Sequence, residues 1–135
     1  MKKMFVIMMI ALCVMTSCSS EKSISRTFLK KGYAMQVLTP ERQADIVPFM
    51  RYFPRFNAEA MGYLRGDGNA TFVYGYDEAL WSGYFLRLAE NGFDCFETGF
   101  VKADYDSGCT YNVSGRKIEL YGEELLLVTF AVVAL

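Results

Sequence analysis

Leu125 to Val133 reads Leu-Leu-Leu-Val-Thr-Phe-Ala-Val-Val, with Thr129 as its one polar residue. Side chains along a strand alternate between the two faces of a sheet. A strand that is apolar at nearly every position needs cover on both faces, which puts it in the interior of a sheet. Its β-branched residues favour the extended form. As a helix the run falls far short of the roughly 20 residues that cross a bilayer. The rest of the chain must supply strands on either side of this segment and cover for its faces.

The sequence provides both. Ala60 to Tyr76 reads as a β-hairpin turning at Gly66-Asp67-Gly68-Asn69, which is strong turn chemistry. Ala70, Phe72, Tyr74 and Tyr76 alternate there with Thr71, Val73 and Gly75. Asp77 is placed to cap a helix running to about Asn91, with Leu80, Tyr84 and Leu88 at helical spacing and Trp81 and Phe85 beside them. Gly92 suits the left-handed position after the helix, and Phe93 can pack back on Leu88. Phe93 to Thr98 reads as a strand, and Asp106-Ser107-Gly108 as a turn. Cys109–Val113 and Arg116–Tyr121 read as strands flanking Ser114-Gly115, and Gly122-Glu123-Glu124 turns the chain into the final apolar strand.

Upstream, Tyr33 to Leu38 is expected to be a short strand. Thr39-Pro40-Glu41 is a helix start, with a hydroxyl cap, a proline in the first turn and an acid near the positive end of the dipole. Pro48 limits that helix to about two turns. Phe49 to Phe56 is expected to be irregular chain packed by its aromatic rings. The expected fold class is α+β: a mostly antiparallel sheet with one or two helices packed on one face.

The first eighteen residues are of another kind. Lys2 and Lys3 precede Met4 to Met15, which carry no charge, and Thr16-Ser17-Cys18 closes the stretch with small residues. This is the three-part layout of a secretory leader. Met15-Thr16-Ser17-Cys18 resembles the lipobox of bacterial lipoproteins, with Met15 where that family prefers Leu. The resemblance implies removal of residues 1–17, a diacylglycerol on the Cys18 thiol and an acylated amino terminus. Two or more lipid chains hold a protein stably at a membrane where one does so only marginally. Residues 18–25 are then the acylated cysteine and a flexible tether, and 26–135 a single domain. Ser19 and Ser20 lack the aspartate of inner-membrane retention in the enterobacterial pattern, so the expected location is the cell envelope at the outer membrane. The run Trp81-x-x-Tyr84-x-x-x-Leu88-x-x-x-Gly92-Phe93 also resembles small lipoprotein domains of uncharacterised role, which imply no activity.

Without residues 1–17, 12 Lys and Arg face 15 Asp and Glu, a charge near −3. That balance, with no basic block, leaves no footprint for nucleic acid. The chain has no histidine, so His-dependent triads and His-containing zinc sites are excluded. No metal or cofactor is expected. Apart from Cys13 and Cys18, two cysteines remain, Cys95 and Cys109. They are either one disulfide or two thiols: a loop centred near Lys102 sets them opposite each other, and a turn at Asp106–Gly108 separates them.

Candidate chemistry is sparse. Arg65-Gly66-Asp67 falls on the hairpin tip, where all three are ordinary turn residues. Asp104-x-Asp106-x-Gly108 opens like a calcium loop, but its later ligand positions fail. Asp104 with Asp106, or Glu97 with Glu119, could pair carboxylates. No nucleophile elbow, phosphate loop or dinucleotide fingerprint occurs, and no catalytic residue is assigned. Tyr63, Tyr74 and Tyr76 could share an exposed face that stacks on a sugar or a partner. The leading functional expectation is a lipid-anchored, non-catalytic binding or accessory module with a protein or glycan partner. A glycan-binding domain using its tyrosines comes second and a small hydrolase third.

Overall fold

The alternation in Ala70–Tyr76 and the apolar run of Leu125–Val133 meet as neighbouring strands of one six-stranded antiparallel sheet. The computed structural model describes residues 21–135. Its elements in chain order are α1 (residues 21–30), α2 (Pro40–Ile46), a 3-10 turn (Pro48–Tyr52), β1 (Gly62–Gly66) and β2 (Asn69–Gly75). There follow α3 (Glu78–Glu90), β3 (Asp94–Phe96), β4 (Gly99–Asp104), β5 (Cys109–Leu120) and β6 (Glu123–Ala134). The sheet order is β1-β2-β6-β5-β4-β3, so the last strand in sequence is an interior one, as its composition requires. The fold is α+β.

Each face of β6 has its own core. Leu126, Val128 and Phe130 join Ala70, Phe72, Tyr74, Tyr111 and Val113 under α2, the 3-10 turn and α3. Leu125 and Leu127 join Val73 on the opposite face, beneath Ile24 and Phe28 of α1. Thus α2 and α3 share one face as expected, and a third helix lies on the other.

That third helix corrects the tether reading over residues 21–25; residues 18–20 lie outside the described residues. Residues 21–25 are helical, and Ile24 is buried. Ile24 and Phe28 stand four apart on one helix stripe, so the segment has an apolar face that the sheet covers. Tyr33–Leu38 is not a strand either. It touches the sheet through two isolated bridges, Ala34 to Tyr63 and Leu38 to Ala60.

The other helices follow their local signals. Thr39 caps α2 by accepting from the Arg42 amide at 3.3 Å, and Asp77 caps α3 by accepting from Leu80 at 3.2 Å. Gly92 has φ +88°, and the Phe93 amide donates to the Leu88 carbonyl at 3.0 Å. Buried Gln43 ties α2 to the chain around it. Its amide nitrogen donates to Leu38 and Ala58 carbonyls at 3.1 and 2.8 Å, and its oxygen accepts from the Tyr74 hydroxyl at 2.7 Å.

Two strand boundaries differ from the sequence reading. Phe93–Thr98 is cut short by a turn at Glu97-Thr98, which starts the additional strand β4. Ser114-Gly115 is no turn, because β5 passes through it unbroken. The reason is tertiary. A Cβ on Gly115 would stand 2.2 Å from Cζ2 of Trp81, so the missing side chain is where the α3 indole lies on the sheet. Gly115→Ala should therefore cost about 1–3 kcal/mol by overpacking. Gly75→Ala, which meets nothing within 4 Å, should stay within about 0.5 kcal/mol. Urea denaturation of both variants checks the pair.

Candidate ligand-binding groove

The groove begins with a helix cap. Gly32 has φ +93°, its amide donates to Leu29 at 3.1 Å, and the Tyr33 amide donates to Phe28 at 3.0 Å. This is the reciprocal glycine cap, with its apolar contact supplied by the Phe28 and Tyr33 rings at 4.9 Å. The cap turns Tyr33 back over the sheet face that α1 covers.

That cover is partial. Strand register puts Arg116, Leu127, Val73 and Gly62 in one row across β5, β6, β2 and β1. The next row is Ser114, Thr129, Thr71 and Leu64. Ile24 and Phe28 pack on Leu127, Val73 and Leu125, and neither lines the depression at the hydroxyl row. Thr71 and Thr129 hydrogen-bond to each other at 2.8 Å across β2 and β6. A depression of about 310 Å³ forms at this edge, lined by Tyr33, Thr71, Ser114, Gly115, Arg116, Leu127 and Thr129. It shares Tyr33, Arg116 and Leu127 with a second depression of about 530 Å³, which adds Lys31 and the apolar side chains of Phe28, Leu64, Ile118 and Leu120. Together they make one groove that runs from the hydroxyl row to an apolar wall.

The polar groups of the lining are hydroxyls, a guanidinium and an ammonium, with no carboxylate among the described lining residues. Burial pushes the Tyr33 phenol above its ordinary value, while the Arg116 guanidinium beside it pulls the other way. The groove thus presents a neutral phenol and a permanent cation side by side, next to three hydroxyls. Such groups can hold a ligand that carries acceptors and hydroxyls, and can orient it.

Most of the side chains singled out in the sequence lie elsewhere. Cys18 lies outside the described residues. Tyr74 is fully buried, in the core with its hydroxyl on Gln43, which removes it from any ligand surface. Its alternation with Phe72 and Tyr76 is real, but the face they share is the one the helices cover. Tyr63 is half-buried with its ring 6.3 Å from that of Phe72, and Tyr76 lies under the Lys117 ammonium at 4.6 Å. The three tyrosines form no exposed platform.

Cys95 and Cys109 are both free thiols. Cys95 pairs with Phe100 and Cys109 with Asp104, so two strand spacings and four residues separate them. That is roughly 10 Å across and 13 Å along the sheet, well past the roughly 7 Å limit for a disulfide. The unforeseen turn at Glu97-Thr98 sets this distance.

Asp104 accepts from the amides of Asp106 and Ser107 at 3.1 and 3.4 Å, a side-chain turn rather than a metal loop. Among the described residues no cluster of three metal-ligating side chains occurs. Glu97 sits in the β3–β4 turn, whereas Glu119 faces Glu124 across β5 and β6. The exposed acids Glu21, Glu123 and Glu124 border a further depression of about 430 Å³ beside Ile24, Met35, Met61 and Leu125. Of these, Glu124 is held by Lys117 at 2.9 Å.

Comparison with protein-family models, curated proteins and solved structures returns no match. The groove therefore stands on its own geometry. Its residues come from the α1 cap, β2, β5 and β6, and no single stretch of sequence joins them. The signal that was available is the spacing Phe28-x-x-x-Gly32-Tyr33, which repeats that of Leu88-x-x-x-Gly92-Phe93. Removing the Arg116 charge should raise the Tyr33 titration midpoint further, because the guanidinium lowers it. Absorbance or NMR titration of native chain and Arg116→Gln above pH 9 checks this, and an unchanged midpoint would separate the two groups.

Proposed function

We propose that this chain is a lipid-anchored protein of the cell envelope that serves as a non-catalytic binding module, with the Tyr33–Arg116 groove as its ligand surface. The observation that carries the binding reading is the pairing of Tyr33 and Arg116 beside the hydroxyls of Ser114, Thr129 and Thr71, in a depression with no carboxylate among its described lining residues. These groups hold and orient a ligand by hydrogen bonds and charge.

The anchor reading rests on the lipobox-like Met15-Thr16-Ser17-Cys18. It gains a geometric consequence from α1. The helix is already formed at residue 21, so at most two residues, three backbone steps, separate it from the acylated cysteine. At about 3.3–3.6 Å per residue, that span is roughly 10 Å. The domain is held against the bilayer, not on a long tether, with the start of α1 toward the lipid and the capped end and groove away from it.

Glycan binding remains the second reading, with its residues moved from Tyr63, Tyr74 and Tyr76 to the groove. What favours it is the hydroxyl row beside the apolar wall of Leu64, Ile118 and Leu120. The anchor is tested by fractionating cells that produce the native chain or Cys18→Ala. The native protein should sediment with the envelope and the variant should lose that association. Equal retention of both would remove the lipid anchor. Protease shaving of intact cells then reports the face: cleavage places the domain outside and protection places it in the periplasm.

A further inference from the structure

We infer that the groove is built for a carboxylated sugar, a uronic acid or comparable acidic residue of a glycan; this rests on the groove being the ligand surface. Three features of the site narrow the ligand. The first is charge. Arg116 presents a planar fork of donors that matches a carboxylate in two parallel hydrogen bonds. It stands beside the Tyr33 phenol, which is protonated at neutral pH and able to donate. No carboxylate is among the described residues lining either part of the groove.

The second feature is the row of hydroxyls. Ser114, Thr129 and Thr71 follow one another on adjacent strands, at the roughly 4.8 Å interval of a sheet. Each hydroxyl can both donate and accept, so the row suits a ligand that carries several hydroxyls, and one pyranose ring spans about one of its intervals. Leu64, exposed at the β1 end of the row, offers apolar surface to the C–H face of a ring.

The third feature sets a limit on ligand charge. The groove adjoins the C-terminal end of α1, where the helix dipole is negative. The Phe28 and Leu29 carbonyls there are already capped by the Tyr33 and Gly32 amides, and Lys31 stands nearby. That setting tolerates one negative charge on Arg116. A phosphate favours the opposite arrangement, a helix N-terminus or a nest of amides. A nucleobase would require an open aromatic plate, and the Tyr33 ring is instead packed against Phe28.

The test titrates the full chain in a non-ionic detergent with the methyl glycoside of galacturonic acid, with its methyl ester and with inorganic phosphate, reading amide NMR shifts. The expected result is saturable perturbation of Ser114, Arg116 and Thr129 by the acid. The ester should bind about tenfold more weakly, and Arg116→Gln should bring the two to parity. Thr71→Val should weaken both sugars in equal measure. If the ester matches the acid at the groove, the carboxylate assignment fails while the groove remains a ligand surface. If phosphate matches the acid, the site reads anions alone and the sugar assignment fails. If all three ligands leave the groove signals unmoved, or the shifts map to another face, the inference falls together with the groove itself.

Discussion

The structure depends on one requirement, that β6 be shielded from water on both faces. Leu125, Leu126, Leu127, Val128 and Phe130 are all buried in one strand. At roughly 25 cal/mol per Å² of apolar surface, leaving either face open would forfeit a large part of the folding free energy. The two faces are met unequally. α2, the 3-10 turn and α3 cover one side with an aromatic core in which Phe56 contacts Tyr74, Trp81 and Tyr84 edge-on. α1 covers the other side only as far as the row containing Leu127. Thr129, the lone polar residue of the run, stands one row beyond that cover. The groove is the consequence: it opens where the helix ends and the strand stops being apolar on that face.

Polar groups inside the main core are handled with economy. Gln43 is the one buried polar residue among those described, and its amide group is engaged at both ends. A buried polar group left unpaired costs about 1–3 kcal/mol, and among the described residues no buried side-chain nitrogen or oxygen lacks a partner. The Tyr84 hydroxyl likewise reaches the Pro54 carbonyl at 2.6 Å. Burial holds the Tyr74 and Tyr84 phenols well above their ordinary value, so both act as neutral donors: Tyr74 fastens α2 to the sheet through Gln43, and Tyr84 fastens α3 to the loop between the 3-10 turn and β1. Against that background, the groove differs in that its guanidinium and hydroxyls line an open depression, with Thr71 and Thr129 bonded only to each other across the strands.

Much of this was legible in the sequence wherever a signal is local. The hairpin turn, the caps at Thr39 and Asp77, the Gly92 cap and the interior strand all follow from chemistry within a few residues of themselves. The errors share a cause. Ser114-Gly115 is turn chemistry taken alone, but Trp81, distant in sequence, is what the glycine accommodates. The apolar pair Ile24 and Phe28 straddles the point where a polar tether was expected to end, and Gly32-Tyr33 resembles a strand start until it is matched with Gly92-Phe93. The tyrosine alternation gave the right period, yet which sheet face the helices cover is decided by long-range packing. The groove was illegible for the same reason, since strand register alone brings Ser114, Thr129 and Thr71 into line.

The functional account therefore turns on α1. This helix closes the second face of β6 and, through its glycine cap, sets Tyr33 beside Arg116. The most direct measurement is amide hydrogen exchange on the full chain, comparing Phe28 to Ala34 with Leu125 to Val128. The account predicts protection of the α1 end and its cap, including the Ala34 amide that bonds to Tyr63 at 2.8 Å, within the same cooperative unit as β6. Exchange of Phe28 to Ala34 at the rate of free chain, with β6 still protected, would contradict it. It would detach the end of α1 from the sheet and leave the groove without its roof.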